Sequence, residues 1–150
     1  MSAESEIKDL VFRSCLTLDR RQYNDYLELF STDMRYRVVT YSPELRKEMV
    51  WLDHDLGEMK HLFKMLPQHV TLKGEFFRHA TVYEITRSKG NCRVVTSLML
   101  IYTGLDGISQ LMAVGYYQDQ IREEDGRLFI ERRDVQLETR DLGPGLHTPL

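Results

Sequence analysis

Two histidines and a glutamate lie in the segment from Glu48 to Leu66, where apolar residues recur at helical spacing. His54, Glu58 and His61 occupy positions i, i+4 and i+7, so on a helix they would share one face. Two imidazoles and a carboxylate can hold a divalent metal ion. The spacing is not the HExxH signature, and the face is opposite the apolar stripe. We therefore favour a solvated or subunit-facing surface over a metal site.

Aromatic and polar residues form a second set, which we expect to line the interior of the fold. The set comprises Tyr26, Tyr36, Arg78, His79, Tyr102 and Tyr116. A tyrosine or histidine in an apolar pocket can donate a proton, polarise a carbonyl or relay charge. Such a pocket would also need a buried carboxylate with a raised pKa, and residues 39–42 supply no aspartate. We therefore favour core residues whose polar ends lie at a wet rim.

A third set is the run of charges in the last predicted strand: Glu131, Arg132, Arg133 and Asp134. Strand alternation places Arg133 on the same inward face as Phe129, Val135 and Leu137. An inward arginine needs a carboxylate partner, because burial of an unpaired charge is costly. The sequence leaves three candidate partners open: Asp25, Asp33 and Asp119. We favour structural or subunit-bridging ion pairs for Arg132 and Arg133 over a substrate-anion site.

Composition excludes several classes of protein. The 150 residues are 42% apolar and 29% charged, which is typical of a folded chain, and one domain over residues 1–150 accounts for the length. The 20 basic and 23 acidic residues give no positive footprint for nucleic acid. No apolar run approaches the roughly 20 residues that span a bilayer. The acidic start, MSAESEIKD, is not a signal peptide.

The number and positions of the cysteines exclude further kinds of site. Cys15 and Cys92 lie far apart and form no CxxC motif, so neither a paired-cysteine metal site nor a disulfide framework is expected. Nucleotide-binding glycine motifs and GxSxG are also absent. We expect a cytoplasmic protein with no nucleic-acid or membrane partner.

Periodicity then gives the elements that must position these residues. Helices are predicted at 4–18, 20–30 and 48–66, and strands at 35–41, 79–87, 92–103, 109–123 and 127–138. A loop is expected from 68 to 77. Gly90, Gly107 and Gly126 lie in short turns, which predict an antiparallel meander over the last four strands. The strand at 92–103 is apolar on both alternations, so both of its faces should be covered.

This order predicts an α+β fold. We expect the three N-terminal helices to pack on the concave face of a curved, mixed sheet that ends in a long antiparallel meander. Gly104 and Gly115 are the expected bend points. The result should be a cone with an open mouth.

The order of several short motifs resembles the small (β) subunit of Rieske-type aromatic-ring-hydroxylating dioxygenases, within the NTF2-like or SnoaL-like fold group. The resembling segments are Val11-Phe12-Arg13, residues 18–30, Asp33, Arg35-Tyr36, Arg78-His79, residues 115–122, Asp125-Gly126 and residues 130–138. Together they extend from about residue 7 to residue 140.

The resemblance implies an NTF2-like cone and a mainly structural role, with no catalytic residue and no cofactor in this chain. It implies a large α subunit that carries a Rieske [2Fe-2S] cluster and a mononuclear Fe(II). That subunit would dihydroxylate an aromatic compound with O₂ and electrons from NAD(P)H, passed on by a reductase. The two chains would form an α3β3 complex in which this chain self-associates as a trimer. We expect the contacts at sheet edges and at the segment 48–66, and we expect Arg132 and Arg133 to support assembly.

Two alternatives of other classes remain open. One is a stand-alone SnoaL-like isomerase, cyclase or dehydratase with an acid–base pocket, which a buried carboxylate facing Tyr36 or His79 would favour. The other is a non-catalytic ligand-binding module, which a wide, apolar cone would favour.

Overall fold

The computed structural model describes residues 3–69, 72–142 and 149–150. In chain order the elements are α1 (Ala3–Asp19), α2 (Tyr23–Glu28), β1 (Phe30–Ser42), β2 (Lys47–His54), α3 (Leu56–His69), β3 (Glu75–Ser88), β4 (Asn91–Thr103), β5 (Ser109–Glu124) and β6 (Arg127–Leu137). No helix in these ranges is long and apolar enough to cross a membrane.

The six strands form one mixed sheet in the order β2-β1-β6-β5-β4-β3. Neighbouring strands are antiparallel except β1 and β6, which run parallel. The predicted α+β class and the antiparallel meander from β3 to β6 are confirmed. The turn before β6 is of the primed hairpin kind, because Asp125 and Gly126 both have positive φ, at 53° and 77°.

The helices cover the concave face of the sheet. α1 packs against β3 and β6, and α3 packs against β1 and β2. The apolar stripe of α1 is buried, as its three- and four-residue spacing requires. Two polar residues on the same helix, Ser14 and Thr17, remain buried because each donates a hydrogen bond to a backbone carbonyl one turn earlier.

β-Bulges interrupt the ladders and account for the curvature of the sheet. Three of them lie between Val82 and Glu84, between Leu100 and Ile101, and between Gln120 and Ile121. The bulge between Gln120 and Ile121 changes which residue of β6 points inward opposite Ile121. Ile130 is buried, whereas Phe129, which was expected to point inward, is only half-buried and stacks under the Arg127 guanidinium.

Gly115 serves a purpose different from the expected bend. A Cβ at this position would collide with the carbonyl oxygen of Gln136 and lie 2.9 Å from the Cα of Leu137. The glycine therefore permits the close approach of β6 to β5.

The helix predicted over 48–66 is wrong in its first half. Residues Lys47–His54 form β2, which pairs with β1, and the helix begins only at Leu56. Asp55 starts it with a capping box: its carboxylate accepts the Glu58 N–H at 2.9 Å, and the Glu58 carboxylate accepts the Asp55 N–H at 3.1 Å.

Other boundaries differ by smaller amounts. β1 begins at Phe30 instead of residue 35, β3 begins at Glu75 instead of residue 79, and α2 is shorter than predicted. α3 continues past Pro67 to His69. The residue at which a helix ends is the part of a helix that a sequence determines least. Residues 70–71 of the predicted loop lie outside the described residues.

Candidate functional site

The interior of the cone contains a buried ion pair between neighbouring strands. Arg133 on β6 faces Asp119 on β5, and two guanidinium nitrogens donate to the two carboxylate oxygens at 2.8 and 2.9 Å. Both side chains are 0% exposed. The third nitrogen of Arg133 donates to Ser14 Oγ at 2.9 Å, and the guanidinium lies 3.9 Å from the centre of the Tyr117 ring. Every face of this cation is therefore occupied.

A second arginine enters the interior from β3. Arg78 donates to the Asp19 carboxylate at 2.6 Å, and its backbone N–H donates to the other oxygen of the same group at 3.1 Å. Asp19 ends α1, so this pair fastens the helix to the sheet. A second nitrogen of Arg78 donates to the carbonyl of Pro149 at 2.6 Å.

Tyr36 on β1 is fully buried, and its hydroxyl binds Leu150, the residue that follows Pro149. Its hydroxyl donates to the Leu150 carbonyl at 3.1 Å and accepts the Leu150 N–H at 2.9 Å. Burial raises the pKa of Tyr36 above its ordinary value. Burial likewise raises the pKa of Tyr26 to about 12, so both hydroxyls stay protonated at neutral pH.

The structure divides the predicted pocket set between two faces of the sheet. Tyr26, Tyr36 and Arg78 lie inside, whereas His79 is exposed on the outer face and stacks on Phe77. This division follows from strand alternation, because adjacent residues of a strand point to opposite faces. Arg78 is inward, so His79 is outward.

The same rule separates the two tyrosines of β5. Tyr117 is buried inside, whereas Tyr116 lies on the outer face, where it contacts Tyr83 edge-on. Tyr102 lies toward the open end of the cone, where it packs on Phe76 and accepts the Gly74 N–H at 3.0 Å. Tyr117 was missed because the sequence alone does not say which of two adjacent tyrosines points inward.

The proposed metal-binding face does not exist as a helix face, because His54 ends β2 and only Glu58 and His61 lie on α3. His54 Nδ1 is 3.5 Å from the Glu58 carboxylate, and His61 is exposed. Within the described ranges, no three His, Cys, Asp or Glu side chains form a group that could hold a metal.

The interior carboxylates do not form an acid–base pocket with Tyr36. Asp19 and Asp119 are each bound by an arginine in charge-assisted hydrogen bonds, which occupy the oxygens of the carboxylate. Leu150 fills the position in front of the Tyr36 hydroxyl. The arrangement is therefore that of a polar core whose charged groups are paired, with Ser14 and Asp19 as members that sequence reasoning missed.

The outer face of the sheet, by contrast, exposes apolar side chains. We name them the outer patch: Phe77, Tyr83, Met99, Ile101, Leu111 and Tyr116. Phe77, Ile101 and Leu111 are cross-strand neighbours on β3, β4 and β5. Tyr83 is 65% exposed and Met99 40% exposed. The expectation that both faces of β4 are covered is therefore not met by this chain alone.

Charged residues adjoin the outer patch on the other half of the same face. Arg132 lies there, 39% exposed, and its Nε donates to the Asp134 carboxylate at 3.3 Å. Arg37 and Arg35 on β1 extend this row of charged residues toward β2, where both form ion pairs with Asp53. Arg132 is thus a surface residue, unlike Arg133.

Comparison with known proteins gives consistent matches over nearly the whole chain. The sequence model of the SnoaL-like domain matches residues 1–134. The β subunit of the methanesulfonate monooxygenase hydroxylase of Methylosulfonomonas methylovora is 27% identical, over 99% of this chain and 87% of its own length. The β subunit of 2-aminobenzenesulfonate 2,3-dioxygenase of an Alcaligenes species is 29% identical, over 96% of this chain and 97% of its own length.

Among solved structures, the β subunit of a proposed aromatic-ring-hydroxylating dioxygenase of Novosphingobium aromaticivorans superposes with a TM-score of 0.86. That alignment covers 99% of this chain and 97% of the other chain at 20% identity. At this identity the superposition establishes the fold.

Proposed function

The chain belongs to the SnoaL-like domain family, and from this premise we propose that it is the β subunit of a Rieske-type aromatic-ring-hydroxylating dioxygenase. In this proposal an α subunit adds O₂ to an aromatic compound with electrons that a reductase takes from NAD(P)H. The α subunit holds the Rieske [2Fe-2S] cluster and the mononuclear Fe(II). The present chain is a non-catalytic subunit that supports it.

Two relatives support this assignment because both are named as β subunits of oxygenases and both align along almost their whole length. The chain itself is poorly suited to hold the cluster. A Rieske centre takes two cysteines and two histidines, whereas Cys15 and Cys92 are both buried and lie on different elements. Their free thiols also suit a reducing compartment, and we propose the cytoplasm.

The observation that carries the proposal is the contrast between the two faces of the sheet. Inside, the arginines and aspartates satisfy one another and Leu150 occupies the space before Tyr36. Outside, apolar side chains of the outer patch face solvent. A protein with a closed interior and an apolar outer face is suited to assembly more than to independent catalysis.

The outer patch is our candidate for self-association within an α3β3 complex. Aromatic residues and methionine are enriched in the centres of protein interfaces, and both types occur here. The charged row of Arg132 and Asp134 lies beside the patch, where it can form the polar rim of the contact. The edge strands β2 and β3 remain available for the α subunit.

The names of the two relatives also suggest where to begin the search for a substrate. One acts on methanesulfonate and the other on 2-aminobenzenesulfonate, and both compounds are sulfonates. We propose that aromatic sulfonates are the first substrates to offer the assembled complex.

The test is to isolate the tagged chain gently from its native cells and to measure iron and the mass of any co-purifying protein. We expect a larger iron–sulfur protein at equal stoichiometry, with the absorption spectrum of a Rieske cluster. The tagged chain purified alone from a heterologous host is the control and should contain no iron. An iron-free homo-oligomer from the native cells would contradict the proposal.

A further inference from the structure

The segment Pro149–Leu150 is held inside the cone by side chains that contact its backbone. Tyr36 binds both the N–H and the carbonyl of Leu150, and Arg78 binds the carbonyl of Pro149. Three hydrogen bonds therefore recognise two consecutive residues. Both residues are buried, and Leu150 is 3% exposed.

These contacts have the geometry of a site for the backbone of a short peptide. Leu150 offers one backbone donor, its N–H, and one backbone acceptor, its carbonyl oxygen, and the Tyr36 hydroxyl supplies the matching acceptor and donor. Arg78 adds a charged donor for the preceding carbonyl, and Asp19 fixes the orientation of its guanidinium from the opposite side. The polar half of the site is thus held in place by α1, β1 and β3.

The other half of the site is apolar. The side chain of Leu150 joins the hydrophobic core of the domain. The same interior contains buried polar atoms that lack a partner of hydrogen-bond geometry among the described residues: the hydroxyls of Tyr26 and Tyr117 and Nε of Arg78. Such atoms are uncommon in a core that has no purpose beyond packing.

We propose that Pro149–Leu150 is an intramolecular ligand, and that the interior of the cone is a peptide-binding site which accepts a prolyl-leucyl segment in trans when its own segment is displaced. The ligand class is a short apolar peptide or N-acyl amino acid with two successive carbonyls. This inference goes beyond the proposed function and does not depend on it.

The first test uses the intact chain and measures hydrogen exchange at the Leu150 amide by NMR. We expect strong protection in the wild type, because Tyr36 accepts this N–H in a buried environment. Tyr36→Phe removes the acceptor and should increase the exchange rate at Leu150 at least tenfold, with Val94 on β4 unchanged as the internal control. Exchange at the rate of an unstructured peptide in the wild type would overturn the proposal.

The second test empties the site with Leu150→Asp, since a carboxylate in this apolar position is costly to bury. N-acetyl-Pro-Leu is then titrated into the variant by calorimetry. We expect binding on the order of 0.1–1 mM, which is usual for so small a ligand. The wild type, whose site is occupied, and the double variant Leu150→Asp/Tyr36→Phe should bind at least about tenfold more weakly.

N-acetyl-Leu-Pro is the matched control ligand, because it has the same composition in the reverse order and lacks the second N–H. Equal binding of the two peptides, or no binding to a folded Leu150→Asp variant, would show that the segment is only a packing element. Either result would overturn the proposal, and neither would bear on the association with an α subunit.

Discussion

Arg133 is a charged side chain that the core of the fold encloses completely. Its guanidinium is enclosed by Asp119, Ser14 and the ring of Tyr117, and none of it reaches solvent. The neighbouring Arg132 has the same side chain but lies half-exposed beside Asp134. The two adjacent arginines therefore provide a matched comparison between a buried and a surface ion pair.

At the residue scale, we predict that Arg133→Met lowers the free energy of unfolding by about 3–5 kcal/mol, because it leaves the Asp119 carboxylate buried and unpaired. Arg132→Met should change it by less than about 1 kcal/mol, as is usual for exposed pairs. Urea denaturation followed by circular dichroism measures both. The prediction fails if the two variants are equally stable. If Arg133→Met is the less stable variant, as predicted, an assembly defect in Arg133→Glu is explained by unfolding and not by a lost subunit contact.

At the element scale, the approach of β6 to β5 depends on the absence of a side chain at Gly115. We predict that Gly115→Ala destabilises the domain by at least about 2 kcal/mol, because the added methyl meets the backbone of Gln136 and one strand must move. Gly57→Ala is the control. Its Cβ would meet only the Asp55 carboxylate at 3.5 Å, and alanine favours the helix. Thermal unfolding should show a lower midpoint for the first variant and an unchanged or higher one for the second.

The elements also show how far the sequence determines the fold. The meander was predictable because turn residues separate strands that have a clear period of two. The segment around Met49 and Leu52 could not be predicted as a strand, because its three-residue spacing suits a helix while Val50 and Trp51 suit a strand. Pairing with β1 decides the outcome, and the capping box of Asp55 and Glu58 marks where the helix begins.

The candidate site was predictable in composition but not in orientation. Tyr36 and Arg78 could be named as interior residues, and Arg133 could be named as an inward cation in need of a partner. The choice between Tyr116 and Tyr117 depends on the register of β5, which bulges shift by one residue. The contacts of Leu150 with Tyr36 join positions 114 residues apart, which no local pattern reveals.

At the scale of the whole molecule, we predict that the outer patch holds copies of the chain together. Met99→Asp should convert an oligomer of the isolated chain into a monomer, because it places a charge in the centre of an apolar contact. Leu16→Asp on α1 is the control: Leu16 is 45% exposed, close to the 40% of Met99, but lies on another surface. Light scattering after size exclusion gives the masses. A monomer for both variants, or for neither, would contradict the prediction.

The parallel pairing of β1 with β6 also determines when β1 can acquire its central neighbour during synthesis. Thr40 and Leu137, which hydrogen-bond across these strands, are 97 residues apart, so a ribosome releases β1 long before its central neighbour exists. Until then β1 has only the short hairpin with β2, and such a hairpin is marginal in water. β1 therefore gains its central neighbour only after the last strand of the sheet has been synthesised, and the non-local pairing that closes the sheet is a late event in folding.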